Sequence, residues 1–226
     1  PLGMNGWMIG YIVPVKAAEA SYDFIREYEI TFIIIFSMLV TVVIFYIIYK
    51  NRQEKSRLLK RAQRDALTGL FNKKTTQDMI DRFLEENGKD RCNGLMIMDV
   101  DYFKQVNDTY GHMVGDKVLK SFGRLLAKQF REKDIVGRIG GDEFMVLICN
   151  IKDVEIAKDR VKKLIDEVRA LQIPELAGSG ITISVGIAYS PDHGTTFMEL
   201  YRHADTALYQ VKRGGRDGFS VYEKAN

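Results

Sequence analysis

Arg138-Ile139-Gly140-Gly141-Asp142-Glu143-Phe144 lies between two apolar runs, Ile135 to Ile139 and Phe144 to Ile148. Paired glycines between such runs predict a two-residue β-hairpin, because glycine enters φ > 0 turns without a Cβ clash. Two adjacent acids directly after the turn crowd negative charge where backbone approaches backbone. Two readings are open from these residues alone. One is a polar turn whose acids face water; the other is a phosphate-bearing ligand held through cations, with the glycines admitting it and Asp142 and Glu143 binding the ions.

Upstream, the run Leu95 to Val100 ends Met98-Asp99-Val100-Asp101. Acids in a buried strand are costly unless paired or metal-bound, and Asp99 and Asp101 share a face if the strand continues. With this strand beside the hairpin, Asp99 and Asp142 meet at one edge. Oxygen donors without a Cys or His cluster suit Mg2+ or Mn2+ rather than zinc.

Between these stretches come Phe103-Lys104, Asn107-Asp108, Gly111-His112 and Gly115-Asp116. An Asn amide and a carboxylate are natural partners of a purine edge. Taken singly, Asp116 also reads as the N-cap of a helix beginning near Lys117, Asn107 as a turn residue and His112 as a loop histidine. Near the end, Lys212 and Arg216 flank Gly214-Gly215 and can contact nucleotide phosphates or complement a helix C-terminus. Arg131-Glu132-Lys133-Asp134 reads as a charged loop whose ends form a surface ion pair.

Helical periodicity appears around Met79 to Leu84, Val118 to Leu126, Val154 to Val168 and Phe197 to Val211. Strand-like runs lie at Leu95 to Val100, Ile135 to Ile139, Phe144 to Ile148, Ile181 to Ala188 and Phe219 to Tyr222. A hairpin inserted among helical crossovers predicts an α+β sandwich with a central mixed, largely antiparallel sheet flanked by helices.

Ile30 to Tyr49 is twenty residues without a charge, the length that crosses roughly 30 Å of hydrocarbon as a helix. A buried core helix would carry a polar stripe, and only Thr31, Ser37 and Thr41 interrupt this one. Residues 50–64 hold seven basic residues against one acid, and residues 15–29 two against four. The positive-inside rule therefore places everything after Tyr49 in the cytoplasm. The basic segment has no Gly or Pro and reads as a linker helix continuing the span. Its few apolar positions make a weak heptad seam.

A net charge of +3 over 226 residues gives no argument for nucleic acid, and two cysteines, Cys92 and Cys149, make no disulfide framework. No basic stretch precedes an apolar core with a cleavage site, so no signal peptide is expected. A first residue other than Met reads as a fragment, with Pro1 to Gly3 native or a cloning scar. Gly6 to Val15 reads as a strand ended at Pro14.

Residues 65–226 resemble the GGDEF family of diguanylate cyclases. The resemblance rests on Asp65-Ala66-Leu67-Thr68-Gly69-Leu70-Phe71-Asn72, on Asp99 to Lys104 with Asn107-Asp108, Gly111-His112 and Gly115-Asp116, on Gly140 to Phe144, and on Ala207-Leu208-Tyr209 with Lys212 and Arg216. Lys73-Lys74 stands where arginines are usual. The resemblance implies a cyclase-like, palm (ferredoxin-like) domain that condenses two GTP into cyclic di-GMP and two pyrophosphates at a homodimeric interface. It implies that Asp99, the Val100 carbonyl, Asp142 and Glu143 hold two Mg2+ or Mn2+ ions, with Gly140 and Gly141 in the catalytic loop. By the same likeness Asn107 and Asp116 read guanine, Phe103, Lys104, Lys212 and Arg216 hold phosphates with His112 nearby, and Arg131 and Asp134 form an RxxD site for product inhibition. An inactive domain that only binds GTP or cyclic di-GMP is the alternative, although such domains typically lose the hairpin acids; a related purine cyclase is a third reading. The segment before the span resembles the final strand and exit helix of Cache-type extracytoplasmic sensors. The implied organisation is a sensor remnant (1–28), a transmembrane helix (30–49), a cytoplasmic linker (50–64) and the catalytic domain (65–226) of a bacterial membrane protein.

Overall fold

The computed structural model describes residues 14–87, 91–176 and 178–224. The chain divides into two compact units, one ending at Leu59 and the other beginning at Lys60.

Helix α1 (Val15–Ala62) runs for 48 residues without a break. Within it, Ile25–Gln53 is long and apolar enough to cross a membrane, and none of its apolar window is buried in protein. Thr31 and Thr41 turn their hydroxyls onto the carbonyls of Glu27 and Ser37, each at 2.8 Å. Both hydroxyls are thereby satisfied within the helix itself. The strand expected at Gly6 to Val15 falls largely on residues 6–13, outside the described residues, as does most of the stretch likened to a Cache strand. Val15 itself is already helical. The linker helix stops at Ala62, two residues short of expectation, and Arg64 instead forms an isolated bridge with Phe71.

The second unit is built on a sheet of β1 (Phe71–Asn72), β2 (Cys92–Val100), β3 (Ile135–Arg138), β4 (Glu143–Ile151), β5 (Ile183–Ser190) and β6 (Gly218–Val221). Their spatial order is β1-β3-β4-β2-β5-β6, with parallel pairs only at the two edges. The mixed, largely antiparallel α+β sandwich is therefore present.

Alternation along β2 explains the two layers. Met96, Met98 and Val100 face α4 (His112–Gln129) and α5 (Val154–Arg169) through Phe122, Leu126, Val161 and Leu164. Leu95 and Ile97 face α2 (Lys73–Asn87) and α6 (Phe197–Arg213) through Ile80, Leu84, Leu200 and Leu208. With both faces covered, the inner strands read as continuous apolar runs. Phe122 and Phe144 meet edge to face at 4.8 Å across the first layer, and burial of each such ring contributes about 2–3 kcal/mol.

Helix α6 is fixed at two points. Thr196 and Glu199 form a reciprocal capping box at its start, a device that contributes about 1 kcal/mol. Further along, a Cβ built on Gly186 of β5 would lie 2.0 Å from the Ala204 carbonyl oxygen and 2.3 Å from the Leu208 nitrogen. Strand and helix thus touch main chain to main chain.

Three local expectations are corrected. The β3–β4 connection is not a two-residue turn: four residues, Ile139 to Asp142, separate the strands, and neither Gly140 nor Gly141 adopts a positive φ. The reason is that the Glu143 carbonyl accepts from both Ile139 and Gly140 (2.9 and 3.3 Å), while Arg138 donates to the Gly141 carbonyl through Nε (3.1 Å) and Nη2 (2.7 Å). Asp116 is no N-cap, since α4 already begins at His112 with Gly111 capping it. Asn107 is not a turn residue but lies in a further short helix, α3 (Phe103–Tyr110).

Candidate functional site

The acidic edge forms where three chain segments end together. Asp99 stands opposite Glu143 in the β2–β4 register. One step on, the Val100 N–H donates to the Asp142 carbonyl at 3.2 Å. Lys212, in the last turn of α6, places Nζ 2.7 Å from Asp99 Oδ2, with the aspartate side chain only 13% exposed. Burial pushes the Asp99 carboxyl above the usual carboxylate range; Lys212 opposes that rise, and the charges of Asp142 and Glu143 add to it. Gly140 admits the cluster, because a Cβ there would stand 2.7 Å from Glu143 Oε2.

These donors are carboxylates and the Val100 carbonyl, an all-oxygen set that fits Mg2+ or Mn2+. Among the described residues no three His, Cys, Asp or Glu side chains converge closely enough to hold a metal by themselves. The ammonium already drawn against Asp99 marks the edge as one that attracts a cation.

Asp101 does not share this edge. The strand stops at Val100, and Asp101 turns inward to accept from Thr182 Oγ1 (2.8 Å), Ser184 Oγ (2.6 Å) and the Asp217 N–H (3.0 Å). It thereby pins the loop that carries Arg216, whose guanidinium stacks over the Tyr102 ring at 4.6 Å. Tyr102, Arg216 and Asp217 all take left-handed backbone at φ 54°, 65° and 48°, strain that such residues keep only when their surroundings enforce it. Arg169 at the end of α5 adds a clamp, with Nε bonded to both Asp217 carboxylate oxygens at 3.0 and 3.1 Å.

The pair expected to read guanine, Asn107 and Asp116, is set by α3 and α4. Asn107 lies so close to Gly115 that a Cβ there would come within 1.9 Å of its Oδ1. The next residue, Asp116, is exposed, as are His112 and Lys104, while Phe103 packs its ring beside Gly115. The structure so brings Lys212 against Asp99, with Asp142 and Glu143 at the adjoining end of β4, Arg216 beside Tyr102, and Asn107 beside Gly115, the residue before Asp116.

Arg131 and Asp134 belong elsewhere. They precede β3, whose opposite end leads to Gly140. Asp134 has no side-chain exposure and accepts from the N–H groups of Arg131 (3.0 Å) and Cys149 (3.1 Å), with Arg160 at 3.9 Å. Instead of a surface ion pair it is a saturated internal brace. Arg131 is exposed and lines a cleft of about 240 Å3 with Lys133, Asn150, Lys152 and Arg160.

Sequence reasoning did not assign a role to Asp65, Arg138 or Asp217, and it set Asp101 beside Asp99 where the structure turns it inward. Arg138 Nη1 bonds both Asp65 oxygens at 3.0 and 3.1 Å while holding the Gly141 carbonyl. It thus ties the Asp65-Ala66-Leu67-Thr68 turn to the acidic loop. The signal was a cation two residues before the glycine pair.

The family profile described as diguanylate cyclase, GGDEF domain, matches residues 62–218. The cyclic di-GMP phosphodiesterase PdeR of Escherichia coli K12 is 35% identical over 77% of this chain and 26% of its own length. The probable diguanylate cyclase DgcT of the same organism is 37% identical over 73% of this chain and 37% of its own. The chain thus spans only part of the curated relatives it matches. Among solved structures, the coiled coil and GGDEF domain of DgcB from Caulobacter crescentus, in complex with c-di-GMP, superposes with a TM-score of 0.71 at 26% identity, over 77% of this chain and 93% of that one. The profile covers most of the chain and the acidic hairpin stands where it does in the sequence pattern, so this chain belongs to the GGDEF family of diguanylate cyclases.

Proposed function

We propose that the chain condenses two GTP into cyclic di-GMP and two pyrophosphates. The observation that carries this reading is the in-register meeting of Asp99 with Glu143, beside Asp142 and within reach of the Lys212 ammonium. Asp99, the Val100 carbonyl, Asp142 and Glu143 would hold two Mg2+ or Mn2+ ions, which when bound polarise the α-phosphoryl group and offset the triphosphate charge. Asn107 and Asp116 orient guanine, and Phe103, Lys104, Lys212 and Arg216 position the triphosphate. Glu143 takes the proton of the attacking 3′-hydroxyl. That oxygen bonds to the α-phosphorus of a second nucleotide, the bond from the α-phosphorus to the bridging oxygen breaks, and pyrophosphate leaves; the second half repeats the step. One chain has one acidic edge, so the two nucleotides face each other between two copies of the chain.

The cleft at Arg131 is proposed as the place where product inhibits. Arg131 offers a bidentate fork to a phosphate or a guanine Hoogsteen edge, and Lys133, Lys152 and Arg160 add positive charge. Asp134 shapes the loop beneath. Ile25–Gln53 is proposed to span a bacterial cell membrane, with the catalytic domain in the cytoplasm, preceded by the remnant of a sensor domain.

A second reading is a module that binds GTP or cyclic di-GMP without turnover. It is favoured by the relative named for phosphodiesterase activity, and opposed by the presence of both Asp142 and Glu143. Incubating the whole chain in detergent with GTP and Mg2+ and identifying products by mass spectrometry separates the two. Cyclic di-GMP from the wild type and none from Asp142→Ala supports synthesis; nucleotide binding without product from a folded wild type supports the module.

A further inference from the structure

Lys212 is the only cation paired with Asp99 among the described residues, at 2.7 Å. Its helix is anchored at two points. The capping box holds α6 at its start, and Gly186 holds the middle of the helix directly against the main chain of β5. What can move is the four-carbon side chain, 31% exposed and leaving the last helical turn just before Gly214 and Gly215.

The neighbouring cation is built differently. Arg216 lies over the Tyr102 ring, and the backbone beside it is pinned by Asp101, itself buried. Of the two cations expected to hold phosphates, one is therefore pre-set and the other is engaged with a carboxylate that a divalent ion also needs. Lys212 and that ion compete for Asp99, since like charges at such a distance repel.

We propose that Lys212 is a displaceable counter-ion: it neutralises Asp99 in the unloaded domain and releases that carboxylate to a divalent cation as nucleotide phosphates take up its ammonium. Cation and nucleotide then bind with positive coupling, each making the other's site available. A domain without nucleotide holds its acidic edge closed to stray cations. The inference rests on the reading of Asp99 as a cation ligand.

The test is Mn2+ binding to the full-length chain in detergent micelles, followed by electron paramagnetic resonance, for wild type, Lys212→Met, Lys212→Arg and Asp99→Asn. Without nucleotide, Lys212→Met should bind Mn2+ about tenfold more tightly than wild type, within the range usual for coupled sites, and Lys212→Arg should not. With the same saturating concentration of an α,β-methylene GTP analogue in every sample, the advantage of Lys212→Met should vanish or reverse, because the variant has lost a phosphate contact. Unchanged or weaker Mn2+ binding by a folded Lys212→Met, with Asp99→Asn binding none, overturns the counter-ion role alone. If Asp99→Asn binds Mn2+ as well as wild type with and without the analogue, the cation reading of Asp99 fails and takes the proposal with it.

Discussion

Asp99 and Asp134 are carboxylates at opposite ends of the same hairpin, one partly and one fully buried, and they differ in what satisfies them. Asp134, with no side-chain exposure, receives two backbone N–H groups and so completes the loop it belongs to. Asp99, 13% exposed, meets one side-chain ammonium and the charges of two further acids. A carboxylate filled by fixed donors is part of the fold. One balanced by a side chain that can leave is free to take a ligand. Burial separates the two only by degree; the kind of partner separates them in role.

The sharpest way to break this contrast is to neutralise each acid in turn. Asp99→Asn should lower cyclic di-GMP formation by about a thousandfold, roughly 4 kcal/mol of barrier at 1.4 kcal/mol per decade, while the thermal midpoint of the catalytic domain hardly moves. Initial rates and a melting curve on the same sample decide it. A large fall in melting temperature with activity retained would place Asp99 with the structural carboxylates. The converse variant, Asp134→Ala, leaves the buried Cys149 N–H of β4 and the Arg131 N–H of the preceding loop without their acceptor and should cost about 3 kcal/mol of stability. Denaturant unfolding measures it, and a loss near zero would mean that water replaces the carboxylate without strain.

The smallest effect concerns Asp65, which joins the two categories. Burial raises its carboxyl, but the Thr68 hydrogen bonds and the Arg138 guanidinium outweigh burial and leave it below its ordinary value. A carboxylate so depressed stabilises the folded state above its unfolded value, and that contribution is lost as pH falls below about 4 through the folded value. Arg138→Ala should therefore cost about 1 kcal/mol at neutral pH and flatten the acid limb of the stability curve. Parallel acid limbs for variant and wild type would show that Thr68 alone sets the Asp65 carboxyl.

Much of the fold was legible because the inner strands are covered on both faces and so read as unbroken apolar runs, as Leu95 to Met98 and Phe144 to Ile148 do. Two elements were not. The two residues of β1 are too few to show any period, and α3 buries no residue fully, so no apolar stripe marked it. In the site, the residue types of Asp99, Asp142, Asn107 and Lys212 pointed to cations and a nucleotide. The work of Asp101 was hidden, because its partners Thr182, Ser184 and Asp217 lie 81, 83 and 116 positions away. The length of the hairpin loop was misread because it depends on a side chain, Arg138, capturing a carbonyl that a glycine pair alone would leave to the ladder.

Gly186 carries no reacting atom, yet it works as a gauge. Helix α6 rests on the bare backbone of β5 there, so the thickness of a single hydrogen atom fixes how far Lys212 stands from the neighbouring strand that bears Asp99. Elsewhere in this layer a change of side chain alters the quality of packing. At this position it alters a length, and the tolerance of the chemistry is cut into the scaffold about one to two helical turns before the residue that meets Asp99.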